Sequence, residues 1–154
     1  MDCSSLVSDT FPSTTIRLPF VLSPANTKIR PSSLEQLVIL DTGATRTSIS
    51  KKVLLKHGYG KYTKSATKKM TAVGEISFSY CTVKSIKLAN EFVYENLRVD
   101  VLEGWENRAV VGVIGIDVLS QLTFILSGEH KKFLLTNKSI PELLPLLSRT
   151  GFFI

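Results

Sequence analysis

Two short apolar runs limit what this chain can fold into. Leu37-Val38-Ile39-Leu40 stops at Asp41-Thr42-Gly43, and Val110-Val111-Gly112-Val113-Ile114 stops at Gly115, ahead of Ile116-Asp117-Val118-Leu119. Apolar runs this short, bounded by turn residues, are buried-strand material rather than buried helix. The other strand signals agree. Residues 15–22 mix β-branched and aromatic side chains in partial alternation, with Pro19 marking an edge or a bulge. Residues 69–73, 75–83, 84–88 and 92–102 read as a β-meander broken by Gly74 and Ala89-Asn90-Glu91. Phe124-Ile125-Leu126 and Phe133-Leu134-Leu135 flank a hairpin signal, Ser127-Gly128-Glu129-His130. Helix is expected only in short pieces, over 48–57 with Ser48 or Ser50 as N-cap and over 117–122 with Asp117 near the start. The fold class is therefore all-β, a barrel-like domain with one or two short helices.

A chain of 154 residues, 44% hydrophobic and 21% charged, fits one globular domain rather than a disordered chain. Nineteen Lys+Arg against 13 Asp+Glu give +6, a mildly electropositive surface. Cys3 and Cys81 are too few for a disulfide framework or a structural zinc site, which fits a reducing compartment. The start lacks the basic and apolar regions of a signal peptide, and no apolar run approaches the roughly 18 residues of a spanning helix. The expectation is a soluble, cytoplasmic protein with no membrane partner. Residues 1–13, rich in Ser, Thr and Asp, read as a loosely ordered leader unless something ties them down, 14–139 as the domain, and 140–154 as a C-terminal extension. Ser139 and Glu142 form a weak capping box there, and Pro145 argues against a long helix.

Asp41 is an ionisable group at the end of an apolar strand, a place that favours a buried, proton-transferring carboxyl. Taken alone, Asp-Thr-Gly is also an ordinary turn. The second segment changes the weight of the first. Asp41-Thr42-Gly43-Ala44 followed by Val113-Ile114-Gly115 and a short helix resembles the retropepsin family of aspartic proteases, over roughly residues 14–135. The resemblance implies a closed, homodimeric β-barrel with Asp41 catalytic and Thr42, Gly43 and Ala44 supporting it, Thr42 by hydrogen bonding across the two-fold axis. It implies that Val113, Ile114 and Gly115 pack beside the active site. It also implies a flap hairpin over bound peptide, best matched by residues 70–77 with Ala72, Val73, Gly74 and Glu75 at the substrate; a single Gly at the tip departs from the family. Family dimers often pair their chain ends, so the apolar end 149–154 belongs either in that interface or on its own barrel. No metal and no cofactor is called for, and the substrate is a peptide or protein.

One Asp-Thr-Gly supplies one carboxyl, whereas the chemistry uses two that share a proton. Asp100 lies in a strand pattern and Asp117 where a helix cap is expected, so the second carboxyl should come from a second copy, as an isologous homodimer allows. The alternative is a retropepsin-like dimer that binds peptides or proteins with little cleavage. A third reading comes from the stretch between Thr42 and Gly74, which has no acidic residue but contains Arg46, Lys51, Lys52, Lys56, Lys61, Lys64, Lys68 and Lys69. No nucleic-acid motif frames it, so a solvated positive loop is favoured over a nucleic-acid surface, and a positive wall near the cleft would suit acidic substrates. His57 and His130 are read as surface residues. No serine-hydrolase, P-loop or zinc-protease motif occurs.

Overall fold

The computed structural model describes residues 6–10, 15–30, 36–66, 68–71, 74–105, 107 and 109–147. In chain order the elements are β1 (Leu6–Thr10), β2 (Arg17–Leu22), β3 (Gln36–Leu40), β4 (Ser48–Ser50), α1 (Lys51–Lys56), β5 (Thr63–Lys64), β6 (Lys69–Thr71), β7 (Gly74–Ile76), β8 (Ser79–Leu88), β9 (Phe92–Leu102), β10 (Val110–Ile114), α2 (Ile116–Leu119), β11 (Thr123–Ser127), β12 (Lys132–Thr136) and α3 (Ile140–Leu147).

Six strands close on themselves in the order β2-β3-β10-β4-β9-β8, with β8 returning to β2 and β5 added at the β8 side. Alternation explains the closure. Leu18, Phe20 and Leu22 of β2 point inward while Arg17 and Val21 point out, and Cys81, Val83, Ile86 and Leu88 of β8 line the same interior. Val38, Ile49, Val99, Val111 and Ile114 complete a single core. A barrel removes free sheet edges, so Pro19 does not sit on one. Strand β2 is flanked by β3 over Arg17–Phe20 and by β8 over Phe20–Leu22, and the missing donor falls where pairing passes from one neighbour to the other.

Strands β1, β12 and β11 form a separate antiparallel sheet. Within the leader read over 1–13, Leu6–Thr10 is the part that is tied down: it pairs along β12 from Leu6↔Thr136 to Thr10↔Lys132. Phe133 and Leu135 of β12 face the barrel core, and Leu134 faces the other way, onto Leu143 of α3 and Ile125. That contact gives α3 its reason to form despite Pro145, and makes a third short helix where one or two were expected. The apolar chain end 149–154 lies outside the described residues. His57 is also corrected: it is buried at the C-terminus of α1, where its Nδ1 lies 2.8 Å from the Val53 carbonyl. Among the described residues, no helix is long and apolar enough to cross a membrane.

Candidate active site

The two apolar runs become adjacent parallel strands. Strand β3 pairs with β10 in parallel, and the register ends with Val113↔Ile39 and Ile114↔Leu40, so Asp41 and Gly115 leave the sheet side by side. The Asp41 N–H continues the ladder to the Ile114 carbonyl at 3.0 Å, and the Ile116 N–H reaches back to the Ala44 carbonyl at 2.8 Å. The turn closes on itself through Ala44 N–H to Asp41 C=O at 3.1 Å. The structure thus brings Asp41, Thr42, Gly43 and Ala44 against Val113, Ile114 and Gly115.

Asp41 is exposed in the single chain, not drawn into the interior as the apolar strand suggests, because the strand ends one residue earlier. Its Oδ1 accepts the Gly43 N–H at 2.8 Å, which fixes the orientation of the carboxylate. A Cβ on Gly43 would stand 3.2 Å from that same Oδ1, so glycine there keeps the carboxylate uncrowded. Thr42 is exposed, and its hydroxyl makes no hydrogen bond among the described residues.

Gly115 is required by backbone proximity: an added Cβ would lie 2.6 Å from the Arg46 carbonyl carbon and 2.8 Å from the Ala44 oxygen. Gly112 is tighter still: an added Cβ would collide with the Ser48 carbonyl oxygen. Gly115→Ala must therefore push the 44–46 backbone, and Asp41 with it, away from β10. We expect a loss of about 3 kcal/mol, at the upper end for overpacking, measured by denaturant unfolding together with a marked fall in any Asp41-dependent activity.

Sequence reasoning missed the anchor of this loop. Thr47 is fully buried, and the Asp117 carboxylate accepts its N–H at 3.0 and 3.1 Å and its hydroxyl at 2.9 Å. The Thr47 hydroxyl oxygen in turn accepts the Gly115 N–H at 3.2 Å, and the Thr47 carbonyl accepts the Asp100 N–H at 2.9 Å. Asp117 is not the helix cap expected of it; Gly115 holds that place, and Asp117 instead ties α2 to the Asp41 loop. An Asp following Gly by two residues, with a Thr six residues after the Asp-Thr-Gly aspartate, is the only trace this leaves in sequence.

Of the hairpin residues, Gly74 opens β7 with φ +111° and Glu75 is exposed opposite Met70, while Ala72 and Val73 lie outside the described residues. Cys81 is a free thiol whose burial pushes its pKa up, which keeps it a poor nucleophile. Among the described residues no group of three or more His, Cys, Asp or Glu is placed to hold a metal ion.

A family model described as "Aspartyl protease" matches residues 32–118, the span from the approach to β3 into α2. No curated protein matches the sequence. The fold is similar to the crystal structure of a retropepsin-like aspartic protease from Rickettsia conorii, at 17% identity, 84% of this chain, 89% of that chain and a TM-score of 0.59. EIAV protease complexed with the inhibitor HBY-793 aligns at 18% identity over 71% of this chain and 86% of that chain, with a TM-score of 0.45. The all-β closed barrel with few short helices is thus retropepsin-like.

Proposed function

We propose, from the premise that this chain belongs to the aspartyl protease family, that it is an aspartic endopeptidase whose active site forms between the Asp41 carboxyls of two copies. The observation that carries the reading is the division of labour among three aspartates. Asp41 alone is exposed at the paired strand ends. The two other aspartates bonded to its loop are committed: Asp117 binds Thr47, and Asp100 is buried against Lys69. With those two engaged, the reading takes the second reactive carboxyl from a second chain, and a two-fold axis near the exposed loop 41–43 supplies it with the least machinery.

In such a site the two Asp41 carboxyls share one proton, as in aspartic proteases generally. The ionised carboxyl takes a proton from water as the water oxygen attacks the peptide carbonyl carbon, and the protonated one donates to the carbonyl oxygen. Collapse of the resulting gem-diol re-forms the carbonyl, breaks the C–N bond and passes a proton to the departing amine. Neither metal nor cofactor enters. Thr42, whose hydroxyl makes no hydrogen bond among the described residues, would bond across the axis, and Gly43 would let the two turns approach. The hairpin around Gly74 and Glu75 would cover an extended peptide that hydrogen-bonds through its main chain. The test is mass-spectrometric detection of cuts in a diverse peptide pool over about pH 4 to 8, a span that brackets carboxyl-based proton transfer, made by wild type and by Asp41→Asn.

A further inference from the structure

The hairpin of β6 and β7 is a two-stranded sheet of its own, outside the barrel's hydrogen-bond ladder. Nor does apolar burial hold it, since Met70 is 73% exposed and Ile76 is exposed as well. Among the described residues, Lys69, the first residue of β6, reaches from it into the body. Its Nζ lies 2.5 Å from Oδ2 of Asp100, 3.5 Å from the Ser48 hydroxyl and 5.1 Å from the centre of the Phe78 ring.

Asp100 is only 2% exposed, and neither of its oxygens makes a well-aligned hydrogen bond, so the Lys69 ammonium is what compensates its buried charge. The other cation on that face of β9, Arg98, stacks on the Tyr80 ring at 3.6 Å and forms no ion pair with Asp100. Asp100 is also wired to the Asp41 loop. It sits opposite Ser48 in the parallel β4–β9 pair, and its N–H bonds the carbonyl of Thr47, the residue that Asp117 and Gly115 hold in place.

We propose that Lys69 and Asp100 are a positioning pair that locks the base of the hairpin to β9, the strand paired with β4 where the Asp41 loop ends, so that the base of the hairpin and the Asp41 loop keep a fixed spacing. Swinging the base away would strand a buried carboxylate without its counter-charge, which penalises open arrangements of the base. Neither residue touches the reacting atoms. The consequence for peptide binding rests on the protease reading, but the lock itself does not.

The experiment follows hydrogen exchange of the hairpin amides and peptide-cleavage kinetics in wild type, Lys69→Met, Lys69→Arg and the double variant Lys69→Met/Asp100→Leu. The double variant removes the orphaned charge and so keeps the barrel folded if Lys69→Met alone does not. Exchange in 69–71 and 74–76 should quicken on the order of ten-fold in Lys69→Met and in the double variant, and Lys69→Arg should restore most of the protection. KM for a cleaved peptide should rise by a similar factor with kcat within about two-fold, as expected when substrate positioning rather than chemistry is lost. Wild-type exchange and KM in Lys69→Met, or full recovery of both in the double variant, would overturn the proposal; the second result would reduce the pair to a charge-burial effect. If wild type cuts no peptide, the protease reading fails, and the exchange measurements still decide the lock.

Discussion

Asp41→Asn should fold as wild type does and lose peptide cleavage by roughly 10^3-fold or more, as removal of one essential proton-transfer group from a concerted pair does. The structure makes this a clean substitution. Asp41 is exposed, and its one side-chain hydrogen bond is accepted by Oδ1 from the Gly43 N–H, a role the Asn carbonyl oxygen can fill unchanged. Stability should therefore stay within about 0.5 kcal/mol of wild type, the range for surface changes that break no specific feature. Association should be unharmed, since replacing two facing carboxyls with amides removes like-charge repulsion. What the amide cannot do is accept the proton of the attacking water or pass one on. A drop of this size is worth about 4 kcal/mol of transition-state stabilisation, well beyond any structural perturbation expected here. Cuts made only by wild type establish Asp41-dependent hydrolysis and reveal its side-chain preferences together. Equal cutting by both proteins would place the chemistry on another residue or in a contaminant.

The parts of this fold that could be read from sequence are those whose cause is local. The apolar runs before Asp41 and Gly115 read as buried strands because nothing else accommodates such runs, and their matching stops led to the two segments that β3 and β10 hold side by side. The hairpin of β11 and β12 carried its turn residues in plain view. What was left open or misread had a distant cause. Leu6–Thr10 has no strand-like composition, and it becomes β1 only because β12, more than a hundred residues on, offers a free edge. Thr47 looks like any residue of a polar Thr-Arg-Thr-Ser stretch; its burial depends on Asp117, 70 residues away. His57 reads as a surface residue until its ring is seen folded onto the carbonyl of Val53. Pro145 lowers the local tendency to helix, yet one buried contact, Leu143 on Leu134, outweighs it. Propensity and periodicity are properties of a segment, whereas these four outcomes belong to pairs of segments.

Whether catalysis needs two chains can be separated from whether it needs Asp41. Wild type and Asp41→Asn, mixed in equal amounts and left until subunits exchange, should retain about one quarter of the activity of the same total amount of wild type, because random pairing leaves that share of dimers with both carboxyls. A monomeric catalyst would retain about half, since every wild-type chain would work unimpaired. The two values differ enough to be told apart in a simple rate assay. The mixed dimer is expected to be silent for a chemical reason: a carboxyl facing an amide has no partner with which to share a proton, so attack on the carbonyl and protonation of its oxygen can no longer be divided between them. Dilution gives the same answer by another route. Specific activity should fall as the concentration drops through the dimer dissociation constant, and a tight peptide inhibitor spanning both halves should move dimer dissociation, followed by sedimentation, to lower concentration by mass action. Retention of half the activity in the mixture, with no loss on dilution, would mean that one chain holds a complete site. Asp117 or Asp100 would then have to leave Thr47 or Lys69 to serve as the second carboxyl, and both are held in place by the contacts that fix the Asp41 loop. The geometry of the single chain thus argues for the quarter.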